Sequence, residues 1–278
     1  MTQSPLRIIF CTSGGAHGAI VLKHLLHAPD AKVVGVIISS RAVRASYGFW
    51  RGASEHVRLS GIRYALYLWC STSLADWLLG GSSVAAQSRR ARLARLTTRN
   101  ANGTEGLEFS AQLAPDLLVS AFFNQRIETK LASIPSLGAV NIHPSPLPLF
   151  RGVDPVFFTR LRGHDATGVT VHRIVDELDA GHILRRETRP VRSVESVFAA
   201  TSKLYELGAQ LLVGALREIS QRSAGTPQAP GGTYDSWPTR QQIGASHRQG
   251  IKLVRLRDLW KLSRTQTHAT KTWADSRT

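Results

Sequence analysis

Residues 6–39 contain two short apolar runs, LRIIFC (6–11) and KVVGVIIS (32–39), separated by the glycine-rich SGGAHG and by AIVLKHLLHA. In that middle stretch Ile20, Val21, Leu22, Leu25 and Leu26 suit one face of a helix. Strand, tight turn, helix and second strand make a βαβ unit, and continuous rather than alternating apolar strands imply burial on both faces of a parallel sheet. The pattern resumes in PDLLVSAFF (115–123), LGAVNIH (137–143) and GVTVHRIV (168–175). HILRRETRPV (182–191) is placed to form a hairpin with the last of these, and SVESVFAATSKLYELGAQLLVGALREIS (193–220) reads as a long amphipathic helix. A doubly wound, mostly parallel sheet with helices on both faces is the expected fold class.

The first turn does not carry a dinucleotide fingerprint. Gly14, Gly15 and Gly18 do not space as G-x-G-x-x-G, and IISSR supplies no acid at the end of the second strand. A nicotinamide cofactor is therefore not expected, and a tight turn is favoured over phosphate binding at the helix N-terminus. With 42% hydrophobic and 19% charged residues in 278, the chain can bury one substantial core. Two cysteines, Cys11 and Cys70, cannot form a disulfide framework, and no metal-ligand spacing occurs, so a reducing compartment, the cytoplasm, fits. MTQSPLRIIFCTSGG has too short an apolar run for a signal peptide and reads as the first strand.

Charge is unbalanced, with 35 Lys+Arg against 19 Asp+Glu, a formal +16. Such a chain favours anionic partners: nucleic acid, nucleotide-sugars, polyglutamylated cofactors or anionic lipid. Two stretches concentrate it, QSRRARLARLTTR (87–99) and the tail from Arg240 onward. Each reads as a solvated helix face or a disordered basic arm, with anion binding as the alternative. Residues 41–110 interrupt the strand pattern with aromatics, among them Trp50, Trp69 and Trp77. The expected structure is a helical insert packed on the sheet, with a membrane-surface or partner-binding helix as the sharper alternative; YALYLWC is too short to span a bilayer.

AVNIHPSPLPLFRG (139–152) leaves the sheet abruptly, because each proline removes a ladder donor and fixes φ. In parallel α/β sheets ligands gather beyond the carboxyl ends of strands, where Asn141 and His143 stand. Asp179, in VDELDAGHIL, lies 36 residues after His143 and could fix that ring's tautomer, while an Asn amide could donate to an oxyanion. Alone, a histidine at a strand end is more commonly a structural residue.

The linked pattern N-x-H-P-S-x-L-P-x-x-R-G, Pro155 and TGVTVHRIVDELDAGHIL resembles the formyltransferases that use N10-formyltetrahydrofolate, strongly over residues 115–187 and faintly over 6–39. The resemblance implies a Rossmann-like formyltransferase fold over residues 1–238, with an aromatic and basic insert at about 41–110 and a basic helix and tail over 239–278. It implies that Asn141 and His143 stabilise a tetrahedral oxyanion as an amine attacks the formyl carbon, and that Asp179 tunes His143 and helps move the proton. It places the folate against Phe123, Asn124, Gln125, Arg126 and Ile127 and against Val175, Asp176, Glu177 and Leu178. Pro146 departs from a Leu common in the family, stiffening the exit loop without touching the three catalytic matches.

Family members differ in their acceptor. Fewer than fifty residues follow GGTYDSW, where the methionyl-tRNA enzymes carry a further barrel domain of roughly a hundred residues, so an ordinary tRNA enzyme is not expected, although the +16 charge keeps nucleic acid open. TSGGAHG matches the phosphate loop of the glycinamide ribonucleotide enzymes only loosely. The remaining expectation is an N-formyltransferase acting on an anionic small-molecule amine, such as an amino sugar on a nucleotide carrier. The alternatives are a methionyl-tRNA formyltransferase-like enzyme without the barrel and a formyltetrahydrofolate hydrolase.

Overall fold

The computed structural model describes residues 4–41, 46 and 48–264. The expected opening unit is present as β1 (Leu6–Thr12), α1 (Gly15–His27) and β2 (Ala31–Ser39). Helices α2 (Phe49–Ser60), α3 (Ile62–Ser71), α4 (Ser73–Leu79) and, after a 3-10 turn at Gly80–Ser82, α5 (Val84–Arg90) follow. Then come β3 (Ala94–Thr98), α6 (Thr104–Leu113), β4 (Leu117–Ala121), α7 (Thr129–Ala132) and β5 (Ala139–His143). The chain continues through β6 (Arg151–Gly152), α8 (Pro155–Leu161), β7 (Ala166–Arg173), β8 (Ile183–Pro190), α9 (Val197–Ser220), β9 (Tyr234–Asp235) and α10 (Arg240–Arg248).

Seven strands form one sheet in the order β3-β2-β1-β4-β5-β7-β8. The first five are mutually parallel, and the β7–β8 hairpin closes the edge in antiparallel register. One face is covered by α1 and α9, where Phe10, Val119, Val140, Ile142, Val169 and Val171 pack against Leu22, Leu25, Leu204 and Leu212. The other buries Ile9, Cys11, Ile37, Leu118 and Leu131 with α6 and α7. Both faces of the central strands are thus apolar, and each fully buried Leu, Ile or Phe contributes about 1.5–3 kcal/mol.

The stretch read as an insert over 41–110 divides in two. Helices α2 to α4 are helical as expected, but they pack on other helices and not directly on the sheet, α3 and α4 against α1 and α2 against α3 and α10; residues 42–45 and 47 lie outside the described residues. The part from 94 onward belongs to the fold itself, because β3 pairs in parallel with β2 and α6 packs on both. QSRRARLARLTTR is accordingly neither a helix face throughout nor a disordered arm: α5 ends at Arg90, and Leu96 and Thr98 of β3 turn inward while Arg95 and Thr97 face water. The described part of the basic tail is tied down as well. Lys252 and Leu253 carbonyls accept from Val197 and Phe198 N–H at 2.9 Å each, and Ser196 Oγ donates to buried Asp258 at 2.5 Å. Residues 256–264 are helical.

Candidate active site

Strand β5 lies between β4 and β7, so its side chains alternate between two buried environments. Val140 and Ile142 face α9, and the contact is close: a Cβ added at Gly208 of α9 would stand 2.4 Å from Ile142 Cγ2. Asn141 and His143 therefore point to the opposite face. In the antiparallel register His172 lies across from Asn141 and Thr170 across from His143, so the alternation of β7 brings Thr170 and His172 to that same face. Thr170 Oγ1 donates to Ser145 O at 2.7 Å and accepts from Leu147 N at 3.0 Å, pinning the proline-rich exit loop against β7.

Hydrogen bonds fix both imidazole tautomers. His143 Nε2 donates to Phe150 O at 2.9 Å, because a carbonyl can only accept; in the neutral ring Nδ1 is then the bare nitrogen, and it stands 3.7 Å from Asp179 Oδ1. His172 Nδ1 donates to Arg173 O at 2.8 Å, leaving Nε2 to accept from Asn141 Nδ2 at 3.2 Å. That Nε2 is also 3.6 Å from Asp179 Oδ1. Asn141, His143, His172 and Asp179 consequently form one connected array, with all but half-buried Asn141 shielded from water. In the sequence His172 is only one residue of an alternating strand; its place in the array depends on a cross-strand partner that no linear spacing reveals.

Asp179 is delivered by the loop between β7 and β8 in a left-handed conformation, φ 54. Its Oδ2 accepts from Gly152 N at 2.9 Å, and its carbonyl and that of Gly181 accept from Gln228 Nε2 at 2.9 and 2.7 Å. Burial opposes its ionisation, but His143, His172 and the Gly152 N–H outweigh burial and hold the carboxyl well below the usual range. Burial pushes the His143 pKa down, against the pull of Asp179 and the Phe150 carbonyl, with His172 adding to the lowering. The resting array is a carboxylate beside a neutral imidazole.

The two loops assigned to folate meet at the rim. Arg126 donates to Asp176 O, and Thr129 Oγ1 to the Asp176 carboxylate; Val175 and Leu178 are exposed and Phe123 is half-buried. Glu177 pairs with Arg151 at 2.9 Å, while Arg151 Nε is buried without a hydrogen-bond partner among the described residues. The rim therefore combines the exposed apolar Val175 and Leu178 with the polar groups of Arg126, Asp176, Glu177 and Arg151. The five residues after β4 are not equivalent, however. Gln125 spends its amide inside the scaffold, accepting from Ala101 N at 2.8 Å and donating to Ser39 Oγ at 2.7 Å and Thr98 O at 3.1 Å. Ile127 is buried in the α6–α7 core, and Asn124 is engaged by Ser39 Oγ at 2.6 Å.

Two further carboxylates come into view only in three dimensions. Asp76 of α4 accepts from Gly15 N at 3.1 Å, occupying the helix N-terminus after β1. The glycine-rich turn is therefore tight, as expected, and one of its N–H groups is already spent on the protein's own carboxylate. Asp154, in left-handed conformation with φ 46, caps α8 and accepts from Tyr64 of α3 at 3.0 Å. It keeps part of its surface open, yet the surrounding atoms push its carboxyl up to about 6, against the Tyr64 and Phe157 donors that favour ionisation. Between its ordinary pKa and about 6 the folded state binds the extra proton, so this group weakens the fold as pH rises through that window. Asp154→Asn is expected to stabilise the protein at pH 7.5 by on the order of 2 kcal/mol, after discounting for partial exposure, and to bring no gain at pH 4. Paired thermal melts at the two pH values check this, and an equal effect at both would refute it.

Known proteins carry the same architecture. A family model described as Formyl transferase matches residues 81–216. Over 118 residues the chain is 38% identical to the methionyl-tRNA formyltransferase of Enterococcus faecalis, a match covering 42% of this chain and 38% of that protein. The corresponding protein of Syntrophus aciditrophicus is 37% identical over 118 residues, again 42% of this chain and 38% of that one. The chain thus matches less than two-fifths of the length of these curated relatives. Among solved structures, the N-formyltransferase from Helicobacter canadensis in complex with folinic acid and dTDP-3-aminofucose superposes with a TM-score of 0.56 at 17% identity, over 86% of this chain and 72% of that one. Glycinamide ribonucleotide transformylase 1 from Symbiobacterium toebii gives a TM-score of 0.53 at 20% identity, over 78% of this chain and 88% of that one. These likenesses show the shared fold, and the segment matched by the formyl transferase family model, residues 81–216, contains the whole Asn141–His143–His172–Asp179 array.

Proposed function

We propose that the protein transfers the formyl group of N10-formyltetrahydrofolate to the amine of a small-molecule acceptor, with an amino sugar on a nucleotide carrier as the favoured class. The observation that carries this reading is the buried array in which Asn141, oriented by His172, stands beside the ionised Asp179 and the neutral His143. The donor supplies an electrophilic formyl carbon and a nitrogen leaving group. Asn141 keeps one amide proton and its carbonyl oxygen beyond the His172 bond, so it can donate to an oxygen that gains negative charge. Bare Nδ1 of His143, facing Asp179, can take a proton and share it with that carboxylate, which makes Asp179 the place where positive charge is stabilised. Arg126, Asp176 and the exposed Val175 and Leu178 form the rim against which the folate ring would rest.

Two observations bear on the acceptor. Asp76 fills part of the helix N-terminus that an acceptor phosphate would otherwise use, which disfavours a ribonucleotide phosphate bound at that turn. The 38% identity to methionyl-tRNA formyltransferases supports a second reading, an aminoacyl-tRNA acceptor, and the +16 charge is compatible with it. Incubation with N10-formyltetrahydrofolate and a panel of nucleotide-linked amino sugars, charged tRNA and water alone, followed by tetrahydrofolate release, separates them. Release that requires an amino sugar is expected; release with charged tRNA only selects the second reading, release in water alone identifies a hydrolase, and none at all with folded protein overturns formyl transfer.

A further inference from the structure

Helices α3 and α4 present two unlike faces. Inward, Tyr64, Tyr67, Ala75 and Leu79 are buried, with Tyr64 bonded to Asp154 and Asp76 to the β1–α1 turn. Outward, Ile62, Leu66 and Trp69 recur at i, i+4 and i+7 of α3 with 59%, 51% and 46% of their surface exposed, and Trp77 of α4 is 75% exposed. These two helices pack on each other, so Trp77 is carried by the helix adjoining the exposed Ile62–Leu66–Trp69 stripe of α3. Three large exposed apolar side chains on one helix face mark an interaction surface rather than ordinary scattered exposure.

The charge around the patch says what fits it. Along α3 to α5, residues 62–90, the chain has three arginines, Arg63, Arg89 and Arg90, no lysine and a single carboxylate, Asp76, and that carboxylate is turned inward to Gly15 N. Arg63 is exposed on α3 itself, and Arg89 and Arg90 are exposed at the end of α5, which follows α4 through the Gly80–Ser82 turn. A second copy would press the same cations together in a chain already at +16, so self-association is opposed by charge. An anionic lipid surface meets both halves of the pattern: indoles settle at headgroup depth, Ile62 and Leu66 reach the acyl boundary, and arginines pair with lipid phosphates. No helix among the described residues is long and apolar enough to cross a membrane, so such contact lies in the interface plane.

We propose that the outward face of α3 and α4 docks this protein on anionic phospholipid bilayers. The inference stands independently of the formyl acceptor. It is tested by co-sedimenting the full chain with phosphatidylcholine vesicles and with vesicles containing about 30% phosphatidylglycerol, enough to set up a negative surface potential. Binding to the anionic vesicles alone is expected. Leu66→Glu/Trp69→Glu should weaken it more than about tenfold, since charge is driven into the apolar contact. Arg63→Gln/Arg89→Gln should weaken it by roughly ten- to thirtyfold, from about 1 kcal/mol per arginine. All four positions are exposed, so both variants should melt like the wild type. The proposal is overturned if the folded wild type does not sediment with anionic vesicles, or if Leu66→Glu/Trp69→Glu binds them as well as the wild type does. It is equally overturned if that double variant instead abolishes self-association or binding to tRNA while lipid binding persists.

Discussion

Asp179→Asn is expected to lower formyl transfer by about a thousandfold while leaving the fold intact. The substitution is isosteric, and the carbonyl oxygen of the new amide can still accept from Gly152 N, so the loop keeps its anchor there. What changes is the other half of the side chain. Nitrogens His143 Nδ1 and His172 Nε2 now face Asp179 Oδ1 at 3.7 and 3.6 Å; in the variant they would face an amide donor that cannot balance a proton on His143. Carboxylate-assisted proton movement is lost without any cavity being made. A stability measurement separates this from misfolding. The native Asp179 carboxyl is depressed below its ordinary pKa by His143 and His172 acting against burial, so it contributes stability above that ordinary value and loses it as pH falls through the folded one. Asp179→Asn should therefore flatten the acid limb of the melting profile while activity collapses at neutral pH. Turnover within tenfold of the wild type would remove Asp179 from the chemistry.

Much of this architecture is legible in the chain because strands buried on both faces need unbroken apolar runs. LRIIFC, KVVGVIIS and PDLLVSAFF can hardly be anything else, and the 24-residue α9 announces itself through its amphipathic spacing. Strand β3 is hidden in the sequence for the opposite reason. At the sheet's edge only one face is buried, so ARLTT alternates Leu96 and Thr98 inward with Arg95 and Thr97 outward, and the outward cations give the stretch the look of a solvated helix. The period of two was present, but five residues of it within a run of arginines carry little weight against composition. The site divides along similar lines. Asn141, His143 and Asp179 are tied to motifs with fixed spacing, whereas His172 matters through the register of β7 on β5, and Asp76 and Asp154 through helices from a distant segment folding over the first turn and the exit loop. Gln125 shows the converse: its position in the loop after β4 is as expected, yet its amide is consumed by Ala101, Ser39 and Thr98.

Gly181→Ala should cripple the site through backbone geometry alone. A Cβ at residue 181 would stand 1.9 Å from the Arg173 carbonyl oxygen and 2.7 Å from its carbon, and a backbone carbonyl in a paired strand cannot step aside as a side-chain tip can. Arg173 is held on both sides of the clash: its N–H donates to His182 O at 2.9 Å and its guanidinium to Leu137 O and Ser223 O at 2.8 and 2.6 Å. The loop must move instead. Asp179, two residues away and fixed through the same Gln228 that holds Gly181, moves with it and leaves Gly152 N and both imidazoles. A displacement of about 1 Å at such a group costs on the order of a hundredfold in rate, and the overpacking itself costs about 1–3 kcal/mol of stability. Gly214→Ala is the matched control, since nothing lies within 4 Å of a Cβ there and the position is in α9, where alanine should gain about 0.5–1 kcal/mol. Parallel rates and melts for the two variants decide the matter: a Gly181→Ala protein that melts and turns over like the wild type would show that the loop carrying Asp179 is not held against β7 as this structure has it.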